Sequence, residues 1–109
     1  MIQLKDNRLV IRKKGKIRFV NLEKILFFER FDHKTYLQLS NGEELILNSS
    51  LKELEKVLPN NFKRTHRSFV INIEQLEGLN FFNEKTYEAL FPNNKHALVL
   101  KEFISSLIS

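Results

Sequence analysis

Arg64, His66 and Arg67 fall within four residues, Lys63 precedes them, and no acid occurs from residue 61 to 72. Two guanidinium forks and an imidazole this close together suit phosphate oxygens or the acceptor edges of bases. Nucleophilic chemistry is the competing use, because Ser68 follows His66 by two residues. That use needs a carboxylate to orient the imidazole, and the stretch offers none.

Other catalytic or ligating arrangements fare no better. His33, His66 and His96 lie in separate segments, so no pair has helical ligand spacing, and without cysteine there is no thiolate set. Glu43 and Glu44 are adjacent, which on a strand turns them to opposite faces. Gly15, Gly42 and Gly78 are too far apart to form a phosphate-cradling loop. No enzyme activity, metal or cofactor is expected, which leaves binding.

The basic residues need elements to position them. Phe62-Lys-Arg-Thr-His-Arg-Ser-Phe-Val-Ile-Asn72 reads as strand, exposed turn, strand. Uninterrupted alternation would put Phe62 and Phe69 on opposite faces, so a bend near Thr65 to Ser68 is expected, with the basic patch Lys63 to Ser68 exposed on it. Hairpins are predicted at Lys13-Lys14-Gly15-Lys16, with Gly15 left-handed, at Ser40-Asn41-Gly42-Glu43, and across Pro92-Asn93-Asn94. Ser50 with Glu53 forms a candidate capping box for a helix carrying Leu51, Leu54 and Leu58, which ends at Pro59. At the C-terminus Phe103, Ile104, Leu107 and Ile108 have helical spacing and are expected to pack on the body. Val20-Asn21-Leu22-Glu23-Lys24-Ile25 and Ile71-Asn72-Ile73-Glu74-Gln75-Leu76 share one pattern. In both, Asn is expected to cap a single helical turn, with Gln75 completing a capping box. The phenylalanines, Phe27, Phe28, Phe62 and Phe69 among them, are expected in the core.

Length and charge set the frame. The 109 residues suit one domain, and 42% hydrophobic content argues against disorder. The longest apolar runs, such as Ile25 to Phe28, are far shorter than a membrane span, and the N-terminus has no secretory core, so a cytoplasmic location is expected. Net charge is +5, but Lys5 to Arg18 holds seven basic residues against Asp6 alone. Two positive regions on a mildly acidic body suit a polyanion such as nucleic acid.

The pattern Phe62-x-Arg64-x-His66-Arg67-Ser68-Phe69-x-x-Asn72, with Ile25-Leu26-Phe27-Phe28-Glu29 and Leu51 to Leu58 upstream in the same order, resembles the LytTR DNA-binding domain. The resemblance covers nearly the whole chain. It implies a mainly β fold: an elongated antiparallel β-β-β sandwich of small sheets with one or two short helices. It also implies the output domain of a bacterial transcription regulator, whose loops enter successive major grooves of promoter DNA at direct repeats.

Base contacts in that family come chiefly from the loop after the Phe-Phe-Glu strand, the His-x-Ser turn and a basic residue near the last strand. By position these fall on His33 or Lys34, within the polar loop Arg30 to Thr35, on Arg67, and on Lys101. Arg64 and His66 fit the motif too, either as DNA contacts or as supports of the turn. Lys101 stands where the family often has Arg, and Leu100 where it often has Ser, so a phosphate or single-bond contact is expected there. A receiver domain or a second copy on DNA is an expected partner. Two alternatives remain open: a basic β-module for single-stranded nucleic acid, which needs exposed aromatics, and a protein-interaction module using Phe103 to Ile108.

Overall fold

Eleven strands make three antiparallel sheets, described over residues 2–108 of a computed structural model; Met1 and Ser109 lie outside the described residues. Strands β1 (Ile2–Lys5), β2 (Arg8–Lys13) and β3 (Lys16–Asn21) form the first sheet in that order. The central sheet has the order β6-β5-β4-β8-β7, from β4 (Ile25–Phe31), β5 (Lys34–Leu39), β6 (Glu44–Leu47), β7 (Phe62–His66) and β8 (Phe69–Asn72). The third sheet is β11-β10-β9, from β9 (Gly78–Asn83), β10 (Thr86–Phe91) and β11 (Lys95–Leu100). Helix α1 (Leu51–Val57) precedes β7, and α2 (Ile104–Ile108) ends the described chain.

Alternation along β4 explains the layering. Phe28 points into one core with Leu9, Ile11 and Val20 of the first sheet and Leu51 and Leu54 of α1. Its neighbour Phe27 points the other way, into a second core with Ala89, Phe91, Ala97 and Val99 of the third sheet. A strand buried on both faces must be apolar throughout, and Ile25-Leu26-Phe27-Phe28 is. Three layers stacked in this way give an elongated body of 45 × 28 × 25 Å.

Turn chemistry agrees with the sequence at three hairpins. Gly15 (φ 78°) and Gly42 (φ 93°) take left-handed conformations, and Asn93 and Asn94 do the same between β10 and β11. Ser50 and Glu53 form the reciprocal capping box, with Oγ accepting at 3.1 Å and Oε1 accepting at 2.8 Å. The β4–β5 connection differs from the expected polar loop over Arg30 to Thr35. Both strands run on to Phe31 and Lys34, and only Asp32 and His33, at φ 51° and 63°, make the reversal. Thr35 is fully buried, its hydroxyl donating to the Ser49 carbonyl at 2.6 Å.

The repeated turn device is half right. Asn72 caps the 3-10 turn Ile73–Gln75 by accepting from the Glu74 amide at 3.1 Å. Asn21 makes no side-chain cap to the turn Leu22–Lys24. Gln75 completes no capping box; its amide crosses to the Glu23 carbonyl at 2.7 Å and ties the two turns together. The expectation that the phenylalanines are core also needs correcting. Phe27, Phe28, Phe62, Phe69 and Phe91 are buried, but Phe19, Phe31, Phe81, Phe82 and Phe103 are exposed. At the C-terminus the apolar stripe divides: Ile104 and Leu107 pack on the second core, while Phe103 and Ile108 face solvent.

Candidate nucleic-acid interface

Strand direction decides which turns share an end of the molecule. The Arg67–Ser68 turn between β7 and β8 lies beside β4, where the Arg30 amide donates to the Ser68 carbonyl at 2.8 Å. Two residues further on, past the end of β4 at Phe31, the chain enters the Asp32–His33 reversal. At the opposite end, the β10–β11 turn meets the β5–β6 turn through the Asn93 side-chain amide and the Ser40 carbonyl. The far end of β11 therefore lies with the Asp32–His33 and Arg67 turns, and there the Lys101 amide donates to the Lys85 carbonyl at 2.8 Å. His33, Lys34, Arg67 and Lys101 are thus gathered at one end of the three layers. No side chain among the described residues pairs with any of the four.

Arg64 and His66 occupy the same turn but face inward. The Arg64 guanidinium donates from Nε to the His66 carbonyl at 2.9 Å and from one terminal nitrogen to the Arg67 carbonyl at 2.6 Å. Its other terminal nitrogen reaches Glu55 of α1 at 2.7 Å. One planar fork holds three groups in fixed directions, which a lysine cannot do. His66 Nδ1 accepts the Ser68 amide at 3.0 Å, and its ring meets Phe69 edge-on. Burial, then the charges of Arg67 and Arg64, push the His66 imidazole below its ordinary pKa, so near neutral pH it accepts at Nδ1 as an uncharged ring.

The basic stretch is not exposed throughout. The ladder shifts register between Arg64 and His66, and the residue skipped, Thr65, is buried. Its hydroxyl donates to the Leu98 carbonyl of β11 at 3.1 Å, fastening the turn to the third sheet. The bulge supplies the bend that the hydrophobic pattern required, and it aims Arg64 and His66 at the turn backbone.

Two cations escape the sequence reading. A shallow groove of about 390 Å³ beside the Arg67 turn is lined by Arg30, Lys52, Arg64 and Arg67, with Glu55 neutralising Arg64. Arg30 is braced by donating to the Thr35 hydroxyl at 2.9 Å. Strand alternation from Phe28 puts Arg30 on this face, a signal that the presumed loop concealed. Lys101 lies by contrast among mixed charges, between Lys85 and the acids Glu84 and Glu102.

The β2–β3 hairpin is partly neutralised. Arg18 grips Glu43 with two bonds at 2.8 and 2.7 Å, and Lys13 Nζ reaches the Ile46 carbonyl at 3.3 Å. Since Glu43 lies just before β6 and Ile46 near the end of β6 that pairs with Thr35, the hairpin tip points toward the end that carries His33. Lys14 and Lys16 at that tip have no partner among the described residues. No group of three or more His, Cys, Asp or Glu side chains there is placed to hold a metal, and no described helix is long and apolar enough to cross a membrane.

Comparison with known proteins adds an independent line. Residues 15–108 match the LytTr DNA-binding domain family. The transcriptional regulatory protein NatR of Bacillus subtilis (strain 168) is 26% identical over 99 residues, which are 89% of this chain and 42% of NatR. The chain therefore spans less than half the length of that relative. The LytTr DNA-binding domain of a Bacillus cereus protein described as a methyl-accepting/DNA response regulator superposes with a TM-score of 0.77. It covers 94% of both chains at 23% identity, so this likeness is one of fold.

Proposed function

The chain belongs to the LytTR family of DNA-binding domains, and from that membership we propose that residues 1–109 act as one unit reading double-stranded DNA sequence-specifically. Its partner is promoter DNA carrying direct repeats, and its setting is the output of a bacterial, cytoplasmic response regulator joined to a receiver domain. The observation that carries this reading is the division of labour at one end of the molecule. Arg64 and His66 hold the β7–β8 turn from within, while His33, Lys34, Arg67 and Lys101 stand around it, unpaired among the described residues.

Each residue has a role in this reading. Arg67, on a turn fixed by three backbone and side-chain bonds, makes a two-pronged contact to guanine O6 and N7. The Asp32–His33 reversal is a two-residue tip, narrow enough for a major groove about 12 Å wide, and it brings His33 to base edges and Lys34 to the backbone. Lys101, a point charge among mixed charges, contacts phosphate. Arg30, Lys52 and the hairpin residues Lys14 and Lys16 add phosphate contacts of the kind that position a protein without specifying sequence.

The test is selection of bound duplexes from a random library, followed by titration of the winner and a scrambled control at several salt concentrations. A repeated motif preferred by about 10³ or more is expected. Arg67→Ala should weaken binding to that duplex by about 1–3 kcal/mol and flatten preference at one base pair. Equal binding to every duplex, with a steep salt slope, would reduce the site to a general polyanion grip. The exposed rings of Phe31, Phe81 and Phe82 favour single-stranded nucleic acid as a second reading. Tighter binding of the separated strands than of the duplex would make it the first.

A further inference from the structure

Phe31 ends β4 with 65% of its surface exposed, one residue before the Asp32–His33 reversal. Strand alternation puts it on the same face as Phe27 and Glu29. Phe27 is buried in the second core and Glu29 is partly buried. Pairing with β8 stops at Glu29, so Phe31 extends past the strand that would have flanked it. The ring joins neither core cluster. Two other exposed rings have companions, Arg8 stacked over Phe19 at 4.6 Å and Tyr87 edge-on to Phe81 at 6.0 Å. Among the described residues Phe31 has no such ring or cation contact.

The position bears on what the ring could meet. Its cross-strand partner is Lys34, its near neighbour His33, and the Arg67–Ser68 turn is fastened to the preceding residue, Arg30. A ring placed there reaches whatever the tip reaches. Along the major-groove edge of duplex DNA nearly every group is a polar donor or acceptor, and the apolar exception is the C5-methyl of thymine.

We propose that Phe31 is a specificity-determining residue that packs against a thymine methyl in the groove entered by the β4–β5 tip. The inference rests on the duplex-reading function proposed above and deepens it: the preferred site carries a thymine at the step facing Phe31, next to the base met by His33. Lys34 anchors the backbone on the same side, so the ring needs no further polar contact to keep its register.

Removing one methyl at a time isolates this contact, because deoxyuridine pairs as thymine does. In the duplex recovered from library selection, each thymine is replaced singly by deoxyuridine, and binding of the 109-residue chain is titrated by anisotropy. At one thymine the substitution should weaken binding roughly three- to fivefold, the loss of one buried methyl. Phe31→Ala should bind the thymine and uracil duplexes equally, and Phe31→Leu should keep part of the difference. A methyl effect of the same size in Phe31→Ala, or no thymine that shows one, overturns the inference while leaving duplex reading intact. If Phe31→Ala weakens every duplex alike, the ring touches sugar or wedges between bases, and the inference is again overturned. A selection that yields no motif removes the reading on which it stands.

Discussion

The two ends of the layered body use polar side chains in opposite ways. At the end holding the 3-10 turns Leu22–Lys24 and Ile73–Gln75, side chains satisfy the protein itself. Asn72 is fully buried and makes four contacts: Nδ2 donates to the Ile25 and Leu22 carbonyls at 2.8 and 3.4 Å, and Oδ1 accepts from Asn61 and the Glu74 amide at 2.9 and 3.1 Å. Gln75 and Asn93 likewise bridge separate turns. At the other end, His33, Lys34, Arg67 and Lys101 have no side-chain partner among the described residues, on turns that are themselves firmly held. A polar side chain directed at its own backbone builds the frame. One left in water on a rigid turn is available to a ligand, and rigidity lowers the entropic cost of binding.

Substitutions at the two ends should therefore separate stability from binding. Asn72→Ala strands the Ile25 carbonyl, the Glu74 amide and the Asn61 side chain in or near the interior. At about 1 to 3 kcal/mol for each unsatisfied buried group, a loss of roughly 3 kcal/mol or more in urea unfolding is expected. Duplex affinity of the folded fraction should stay within twofold. A large drop in that affinity would break the comparison, since it would make the scaffold end part of the site.

Arg64 and Arg67 repeat the contrast within one turn. Arg64→Ala removes two bonds to backbone carbonyls, and a loss of about 1–2 kcal/mol in stability is expected along with weaker DNA binding. The half-exposed pair with Glu55 adds little to that figure. Arg64→Lys should rescue neither property, because an ammonium cannot hold both carbonyls and Glu55 at once. Arg67→Ala should leave the urea midpoint unchanged, because Arg67 contributes only its carbonyl to the fold. A shared loss of stability in both variants would erase the distinction between support and contact.

The frame was more legible than the contacts because local chemistry fixes it. Asn41-Gly42, Gly15 and the Ser50–Glu53 box each announce a backbone conformation that few other residues permit. The β4–β5 reversal was hidden for the complementary reason: Asp32 and His33 adopt left-handed angles without glycine, stabilised by the strands on either side. Arg30 was missed with it, since a residue assigned to a loop has no face. Thr65 read as one more polar residue in a basic patch, and only a neighbouring sheet, distant in sequence, shows that its hydroxyl is a fastener. The exposed phenylalanines escaped because hydrophobicity records what burial would gain, and whether a strand outruns its cover is decided by other strands. The motif residues were found by resemblance, but which of them face outward depended on the bulge at Thr65.

Thr65 gives a smaller test of the same frame. Thr65→Val keeps the shape and removes the bond to the Leu98 carbonyl, for an expected cost of about 1–2 kcal/mol. Because that bond holds the turn against the third sheet, preference between cognate and scrambled duplexes should fall as well. A stability loss with specificity unchanged would mean that Arg64 alone sets the turn.

His66 should show the smallest effect, and one that pH reveals. Its pKa lies below the ordinary value because burial, Arg67 and Arg64 all disfavour the charged ring. The folded state therefore binds the proton less readily than the unfolded chain. The contribution of the neutral ring is present above about pH 6.5 and is lost as pH falls through the folded-state pKa. Glu29 runs the other way: burial and then Glu44 raise its pKa, so its protonation on acidification favours the fold, in a window nearer the carboxylate range. Comparison with His66→Gln at each pH cancels that background. Between pH 7.5 and 5.5 the native chain should lose more stability than the variant, with urea midpoints as the measure. Protonation also puts a hydrogen on Nδ1, which then cannot accept the Ser68 amide. The turn carrying Arg67 should loosen over the same pH interval, lowering discrimination between duplexes even as the added positive charge favours DNA of any sequence. Parallel pH curves for the native chain and His66→Gln would show that the ring is not a support of the turn.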